Sequence, residues 1–439
     1  MTQDYRARIM PAEVAVADIR SGQSVYVHNG CAEPVDLVKA LTRRGPELED
    51  VQILHMATMG IADYILPEYE GHFLHNALFI GGNVRKAVQE GRADYTPIFL
   101  SEIEGLFRSG ALPIDVCLLQ CTPPDAYGYM SLGPSIDASL TAAQCARRVI
   151  VEINEQCPRT LGDSFLHVSR VDTFVETSHA LSEYPRHPVT ELQYAIGKHV
   201  ASLIPDGATI QTGIGGIPEA VLGQLRDRRD LGIHSEMVPD SAIDLIEAGV
   251  INGERKTLHP HKIISGFVLG SKRLFQYIDN NPMFEFHRTQ YCNDPFLIAQ
   301  NDRMVAINSA IEVDLTGQVC SDSMGASPYS GIGGQVDFLR GAARSKGGLP
   351  IITLPSTAKD GAVSRIVPTL RPGAGVVTSR GDVHYVITEH GIAYLHGKTL
   401  RQRAEAMIQI ADPRFHGELE EYALRNHLLT ASRSVVAVP

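Results

Sequence analysis

A strand, a glycine-bearing loop and a helix occur twice, in the same order, in this chain of 439 residues. Ile19 to Val27 reads as a turn feeding a strand. Asn29-Gly30-Cys31-Ala32-Glu33 follows as a loop, and a helix runs from Pro34 through Leu41. The pattern returns at Ile204 to Thr212, then at Gly213-Ile214-Gly215-Gly216-Ile217, then from Pro218 through Leu225. Gly22 matches Gly207, Val25 matches Ile210 and Gly30 matches Gly215. Such a duplication predicts two similar α/β domains related by a pseudo-twofold, with the active site in the cleft between them. The length agrees, because a chain this long exceeds one ordinary core. Leu181 to Pro188, with two prolines among polar residues, suits a linker, which sets the domains at residues 1–184 and 189–439.

Apolar runs supply the strands. In the first half they fall at Val51–His55, Asp115–Leu119 and Arg148–Glu152, with a helix from Val84 to Glu90. In the second they fall at Lys262–Ile264, Met304–Ile307, Pro350–Leu354 and Tyr385–Ile387. Two amphipathic helices, Leu400 to Ala411 and Phe415 to His427, close the chain.

The hydrophobic share of 44% and the charged share of 20% are those of a globular protein, and no apolar run is long enough to span a bilayer. The N-terminus lacks the basic-then-apolar order of a signal peptide, so a cytoplasmic protein is expected. A net charge of −11 disfavours nucleic acid as a partner. Seven scattered cysteines argue for free thiols, and the Cys117/Cys121 pair reads as buried packing sooner than as a metal site. No histidine pair of the H-E-x-x-H kind is present, and no metal is expected.

The chemistry gathers on Leu231 to Asp240. Leu231 and Ile233 mark a short buried strand, while Asp240 to Gly249 reads as a helix with Asp240 as N-cap and Gly249 as its stop. Glu236 then falls where a strand hands over to a helix. At that edge open α/β sheets bind ligands, and a carboxylate there can attack an acyl carbon. The bland reading is a solvated or capping glutamate. His234 lies on the same side of an extended strand and is either a base or a packed, hydrogen-bonded core residue.

Glycine loops add a second signal. Gly213, Gly215 and Gly216 expose main-chain N–H groups at a helix start, where a developing oxyanion can be received, although a tight turn explains them too. A dinucleotide site is disfavoured, because Pro218 stands where that fingerprint needs glycine. Gly331, Gly333 and Gly334 form another dense loop, with Gln335 and Asp337 able to fix polar parts of a ligand. No Gly-Lys-Ser/Thr follows it as in a phosphate-binding P-loop. Lys359, on a turn between strands, is a candidate phosphate contact or a solvated charge.

Taken together, His234-Ser235-Glu236-Met237, the loop Gly213 to Pro218, Gly331 to Phe338, Ser364 to Pro368 and Thr388 to Ala393 resemble the acetyl-CoA hydrolase/transferase family, in its 4-hydroxybutyrate CoA-transferase branch. Asn154-Glu155 with Pro158, and Val175 to His179, extend the likeness into the first half. The resemblance implies that Glu236 is the catalytic glutamate, that Gly213, Gly215 and Gly216 lie near the thioester oxygen, and that Gly331, Gly333, Gly334, Gln335 and Lys359 meet coenzyme A. His28, Met237 and His390 are acyl-pocket candidates. His390, where many relatives have tyrosine, and Pro239-Asp240-Ser241, where Asp-Gly is common, are departures from the pattern. The implied partners are acyl-CoA and small carboxylates, with the CoA thioester as substrate, no permanently bound cofactor, and a homodimer or homotetramer. The alternatives are a hydrolase using the same glutamate and a CoA-binding regulator without turnover.

Overall fold

The computed structural model describes residues 5–186 and 188–430, so His187 of the expected linker and the two chain ends lie outside the described residues. In the first half, strands β1 (Ser24–Val27), β2 (Val51–His55), β3 (Phe73–Ala77), β4 (Ala93–Tyr95), β5 (Val116–Cys121), β6 (Arg148–Asn154) and β7 (Thr173–Thr177) form one parallel sheet in the order β4-β3-β2-β1-β5-β6-β7. The second half repeats it. Strands β8 (Thr209–Gln211), β9 (Gly232–Pro239), β10 (Ile263–Leu269), β11 (Phe284–Phe286), β12 (Met304–Ser309), β13 (Leu349–Thr353), β14 (Tyr385–Thr388) and β15 (Gly391–Tyr394) take the order β11-β10-β9-β8-β12-β13-β14-β15. Only β15 runs antiparallel, as a hairpin on the edge. The duplicated loops carry the same backbone: Gly22 and Gly207 both have positive φ, +75° and +71°, and Gly30 and Gly215 do as well.

Strands buried on both faces read as unbroken apolar runs, and β5 (Val-Cys-Leu-Leu-Gln-Cys) is buried throughout. The strands missed by sequence, β3, β4, β7, β11 and β15, are short or carry polar residues, such as Leu74-His75-Asn76 and Ala93-Asp94-Tyr95. Helices cover the sheets: α1 (Val35–Arg43), α2 (Glu191–Leu203), α3 (Gly216–Gly223), α4 (Ser241–Glu247), α5 (Thr289–Cys292), α6 (Gln335–Arg344), α7 (Leu400–Gln409) and α8 (His416–Arg425). Thr190 and Gln193 close a capping box on α2. All seven cysteines are free thiols. No helix among the described residues is long and apolar enough to cross a membrane.

Two sequence expectations about the central stretch need correction. Glu236 lies inside β9, which continues to Pro239, rather than at its end. Asp240 stands at the N-cap position of α4 but its side chain makes no cap bond; its carboxylate accepts from the Ser271 N–H and hydroxyl, both at 2.8 Å, and ties α4 to the residues just past β10. Gly249, at φ +72°, does stand just past that helix.

Among the described residues no strand lies between Ser178 and Val189, yet one hydrophobic cluster spans both halves, in which Leu119, Leu132 and Ile136 join Val238, Leu269 and Phe286. Main-chain hydrogen bonds stitch them. Ile136 N–H donates to Gly266 O at 3.0 Å, Val268 N–H to Pro134 O at 2.8 Å and Phe286 N–H to Leu161 O at 2.8 Å. At this seam Gly162, with φ +99°, lies so close to the Phe286 backbone that a Cβ would overlap it. A Gly162→Ala chain is therefore expected to lose about 2–4 kcal/mol, since both φ and the interdomain approach are violated. Denaturant unfolding of the variant measures it; an unchanged midpoint would mean that the seam is not tightly packed.

Candidate active site

Each sheet reverses its strand order beside its first strand, between β1 and β5 and between β8 and β12, and the crevice at such a switch point is where open α/β sheets bind ligands. The two switch points open onto one cleft of ≈ 680 Å³. Asn29 and Gly30 after β1, Met56 to Met59 after β2 and Phe79 to Asn83 after β3 form one wall. Gln211 to Ile214 after β8, Glu236 and Met237 on β9, and Asn308 and Ser309 of β12 form the other. The glycine loop from Ser330 to Gln335 closes the cleft from the second half.

That loop is docked on the first half. Ile80 N–H donates to Ser330 O at 2.9 Å, Leu100 N–H to Gly333 O at 3.2 Å and Ile332 N–H to the Tyr95 hydroxyl at 3.0 Å. Gly331 and Gly333 rest on the Phe79 ring. Asp337, in the first turn of α6, accepts from the Ser101 hydroxyl at 2.9 Å, and burial pushes its carboxyl up to about 7. Asp337 thus serves the junction between the halves, and Gln335 donates to Thr378 Oγ1 at 2.9 Å while still facing the cleft.

Glu236 reaches the cleft with its carboxylate clasped from two sides. Asn293 Nδ2 donates to Oε2 at 2.9 Å, and the Gly334 main-chain N–H favours the charged form as well. Burial outweighs both donors and raises the carboxyl to about 7, with the Asp137 charge adding to the rise. A Cβ on Gly334 would overlap the Glu236 carboxylate and the Asn293 amide, so only glycine lets the loop approach this closely. Asn293 was not legible beforehand: it follows α5 in Asn-Asp-Pro, which reads as a turn and cap, and its neighbour Asp294 does cap the next short helix.

The other candidates divide. Gly213, Gly331, Gly333, Gly334, Gln335 and Met237 lie on the cleft wall with Glu236. Gly215 lines a smaller recess beside Tyr184 and Asp240, and the space beside Gly216 is filled by the Gln193 side chain, so its lack of a side chain serves packing against α2. His28 is fully buried just past β1, with Nε2 2.6 Å from Ser135 O, so Asn29 and Gly30 face the cleft in its place. Lys359 is exposed on a small hairpin tip and His390 sits in the β14–β15 turn beside Glu389; neither is on the cleft wall. Among the described lining residues Arg85 supplies the cation, stacked 4.0 Å over the Tyr329 ring. The Gly81-Gly82-Asn83 run could have pointed to this wall. His234 follows the bland reading: its ring is enclosed, Nε2 lies 3.0 Å from Cys292 O, and burial lowers it to about 3.

The N-terminal domain of acetyl-CoA hydrolases/transferases matches residues 1–182, and the C-terminal domain of the same family matches residues 270–423. A 4-hydroxybutyrate coenzyme A transferase of Clostridium kluyveri is 51% identical over 94% of this chain and 97% of its own length. The chain belongs to the acetyl-CoA hydrolase/transferase family. A succinyl-CoA:acetate/propanoyl-CoA:succinate CoA transferase of Fasciola hepatica is 48% identical over 92% of this chain and 85% of its own. A solved 4-hydroxybutyrate CoA-transferase of Porphyromonas gingivalis superposes with a TM-score of 0.83 at 41% identity, covering 96% of this chain and 98% of that one. Family members named acetyl-CoA hydrolase are more distant, at 25% identity.

Two outcomes follow from the clasp on Glu236. Because Asn293 favours the carboxylate, Asn293→Ala should raise the Glu236 pKa further. The rising limb of kcat/KM against pH then moves above about 7, and activity lost at neutral pH is partly recovered at higher pH. A flat loss at every pH would point to misfolding instead. The second outcome concerns stability. A carboxyl raised from 4.5 to about 7 binds its proton more tightly in the folded state, so its contribution to stability falls as pH rises from about 4.5 through 7. Glu236→Gln cannot titrate. It should melt with the wild type near pH 4 and above it at pH 8, and thermal melts at both pH values check this.

Proposed function

We propose that this protein is an acyl-CoA:carboxylate CoA-transferase with Glu236 as its covalent nucleophile. It would move CoA from a short-chain acyl-CoA, such as acetyl-, butyryl- or succinyl-CoA, to a small carboxylate such as 4-hydroxybutyrate, butyrate, acetate or itaconate. The observation that carries the reading is the clasped Glu236 carboxylate facing a cleft between two α/β halves. The 51% and 48% identical relatives with transferase names support it. The greater distance of the hydrolases favours transfer over hydrolysis.

The chemistry proceeds by two exchanges at the carboxyl. The Glu236 carboxylate attacks the thioester carbon, giving an acyl-glutamyl anhydride and releasing CoA thiolate. The thiolate then attacks the glutamyl carbonyl, forming a glutamyl-CoA thioester and freeing the first acid. A second carboxylate reverses the sequence and leaves as the new acyl-CoA. The thioester energy stays on the enzyme throughout, so no ATP is consumed. Main-chain N–H groups of the loops at Gly213 and Gly334, which line the cleft with Glu236, would meet the oxyanions, and the docked glycine loop would keep water from the intermediates. Arg85, on the cleft wall, joins Lys359 as a cation we assign to the CoA phosphates. Domains divided at the 185–188 linker, a homo-oligomeric assembly and a cytoplasmic location belong to the same reading.

Incubation with acetyl-CoA and no acceptor should leave CoA bound as a thioester that peptide mapping places on Glu236. Glu236→Ala should form no adduct and exchange nothing. Glu236→Asp, one methylene shorter, should lose on the order of a hundredfold or more in turnover. An adduct on another carboxylate, or an Ala variant that still shuttles CoA, would overturn the assignment, while acid release without any CoA adduct would mark a direct hydrolase.

A further inference from the structure

A second group of reactive side chains lies outside the cleft, where β11 ends. His259 Nδ1 stands 3.1 Å from Glu285 Oε2, and His287 Nε2 stands 3.7 Å from the same oxygen. The three ligand atoms all lie within 4.8 Å of one another. Four ligands held about 2.1 Å from a zinc ion are spaced about 3.4 Å apart, so this trio has the dimensions of three corners of a tetrahedral site. The side chains are about one-quarter exposed or less, at 27%, 27% and 17%, which leaves the fourth corner to solvent.

Three details distinguish the trio from an ordinary histidine–glutamate pair. His287 Nε2 is buried with no hydrogen-bond partner, an orphan atom turned toward Glu285. His259 presents Nδ1 to the trio while its other nitrogen lies 2.6 Å from the Tyr291 hydroxyl, the arrangement by which a metal-binding imidazole is held in one orientation. Lys262 Nζ lies 3.7 Å from the other Glu285 oxygen and also donates to Pro282 O, so it leaves Oε2 unobstructed. The second histidine–carboxylate group in the molecule, Asp36, Glu152 and His179, lacks this freedom. There Glu152 already accepts from the Asp36 and Leu37 N–H groups and is 2.7 Å from His179 Nε2.

We propose that His259, Glu285 and His287 bind a divalent transition-metal cation of the zinc class. Two imidazoles and one carboxylate select such an ion over magnesium or calcium, which prefer oxygen ligands. The site has structural reach. His287 opens the turn into α5, its ring stacks on Tyr291 at 4.6 Å, and α5 ends at Asn293, the donor to Glu236. An ion that ties His287 to His259 would therefore brace the turn that presents Asn293 to the nucleophile, without entering the cleft itself.

The test uses the full chain without a histidine tag, stripped with chelator and titrated with Zn²⁺ alone. One equivalent should bind saturably and raise the melting temperature by a few degrees. Co²⁺ in its place should give the visible absorption of a low-symmetry, four-coordinate site. His259→Ala and His287→Ala should each abolish both signals, and the shape-conserving Glu285→Gln should weaken binding at least tenfold while retaining the wild-type circular dichroism. His179→Ala should bind as the wild type does. No saturable Zn²⁺ uptake, uptake that persists in both His259→Ala and His287→Ala, or uptake that disappears in His179→Ala would each overturn the proposal.

Discussion

A carboxylate buried at the wall of a cleft and held between two donors is the constraint on which the rest of this structure depends. Charged and solvated, Glu236 would be a poor nucleophile toward a thioester; buried without donors, it would stay protonated. The structure stands between these limits. Asn293 and the Gly334 N–H draw the carboxyl toward its charged form, desolvation pushes the other way, and the balance falls at about 7. The donor on one side comes from the α5 turn, and that on the other from the glycine loop. Neither could reach Glu236 if Gly334 carried a side chain, because a Cβ there would occupy the same space.

Holding that loop against Glu236 is work for both halves. The loop belongs to the second half by sequence but is fastened to the first by Ile80, Tyr95, Leu100 and Ser101. Glu236 and the loop that reaches it both come from the second half, and the first half supplies the opposite wall and the anchor. Duplicating one α/β unit brings two switch points to a single cleft, and that explains why the site could not be built on one sheet alone.

The repeat was the most legible feature of the sequence, because it rests on backbone requirements: Gly22 and Gly207 need positive φ at the same point in each half. Long apolar strands such as β5 and β6 were legible for the same local reason, whereas β3 and β4 carry His75, Asn76 and Asp94 and take their strand character from their neighbours in the sheet. In the site, Glu236 and the 331–335 loop could be recognised from motif and glycine density. Asn293 and Arg85 could not, since an asparagine before Asp-Pro and an arginine at a helix start signal only local structure. His28 and Lys359 lie away from the cleft wall, one enclosed behind it and the other on an exposed hairpin tip, positions that their residue types alone could not reveal.

Burial raises both carboxyls to about 7, and at Asp337 the Glu236 charge adds to the rise. Asp337 fastens the loop to Ser101, Glu236 is the proposed nucleophile, and the charge on Glu236 makes Asp337 harder to ionise. A charge on Glu236 keeps Asp337 closer to its protonated form, in which one oxygen can still accept from Ser101 and the loop stays docked. In the proposed reaction that charge is lost when Glu236 becomes an anhydride or a thioester. Asp337 then ionises more readily, and its bonds to the Ser101 hydroxyl and N–H strengthen as acceptors of the charged kind. In that proposed sequence the stronger bonds to Ser101 coincide with the covalent intermediate, the interval in which water must be kept out.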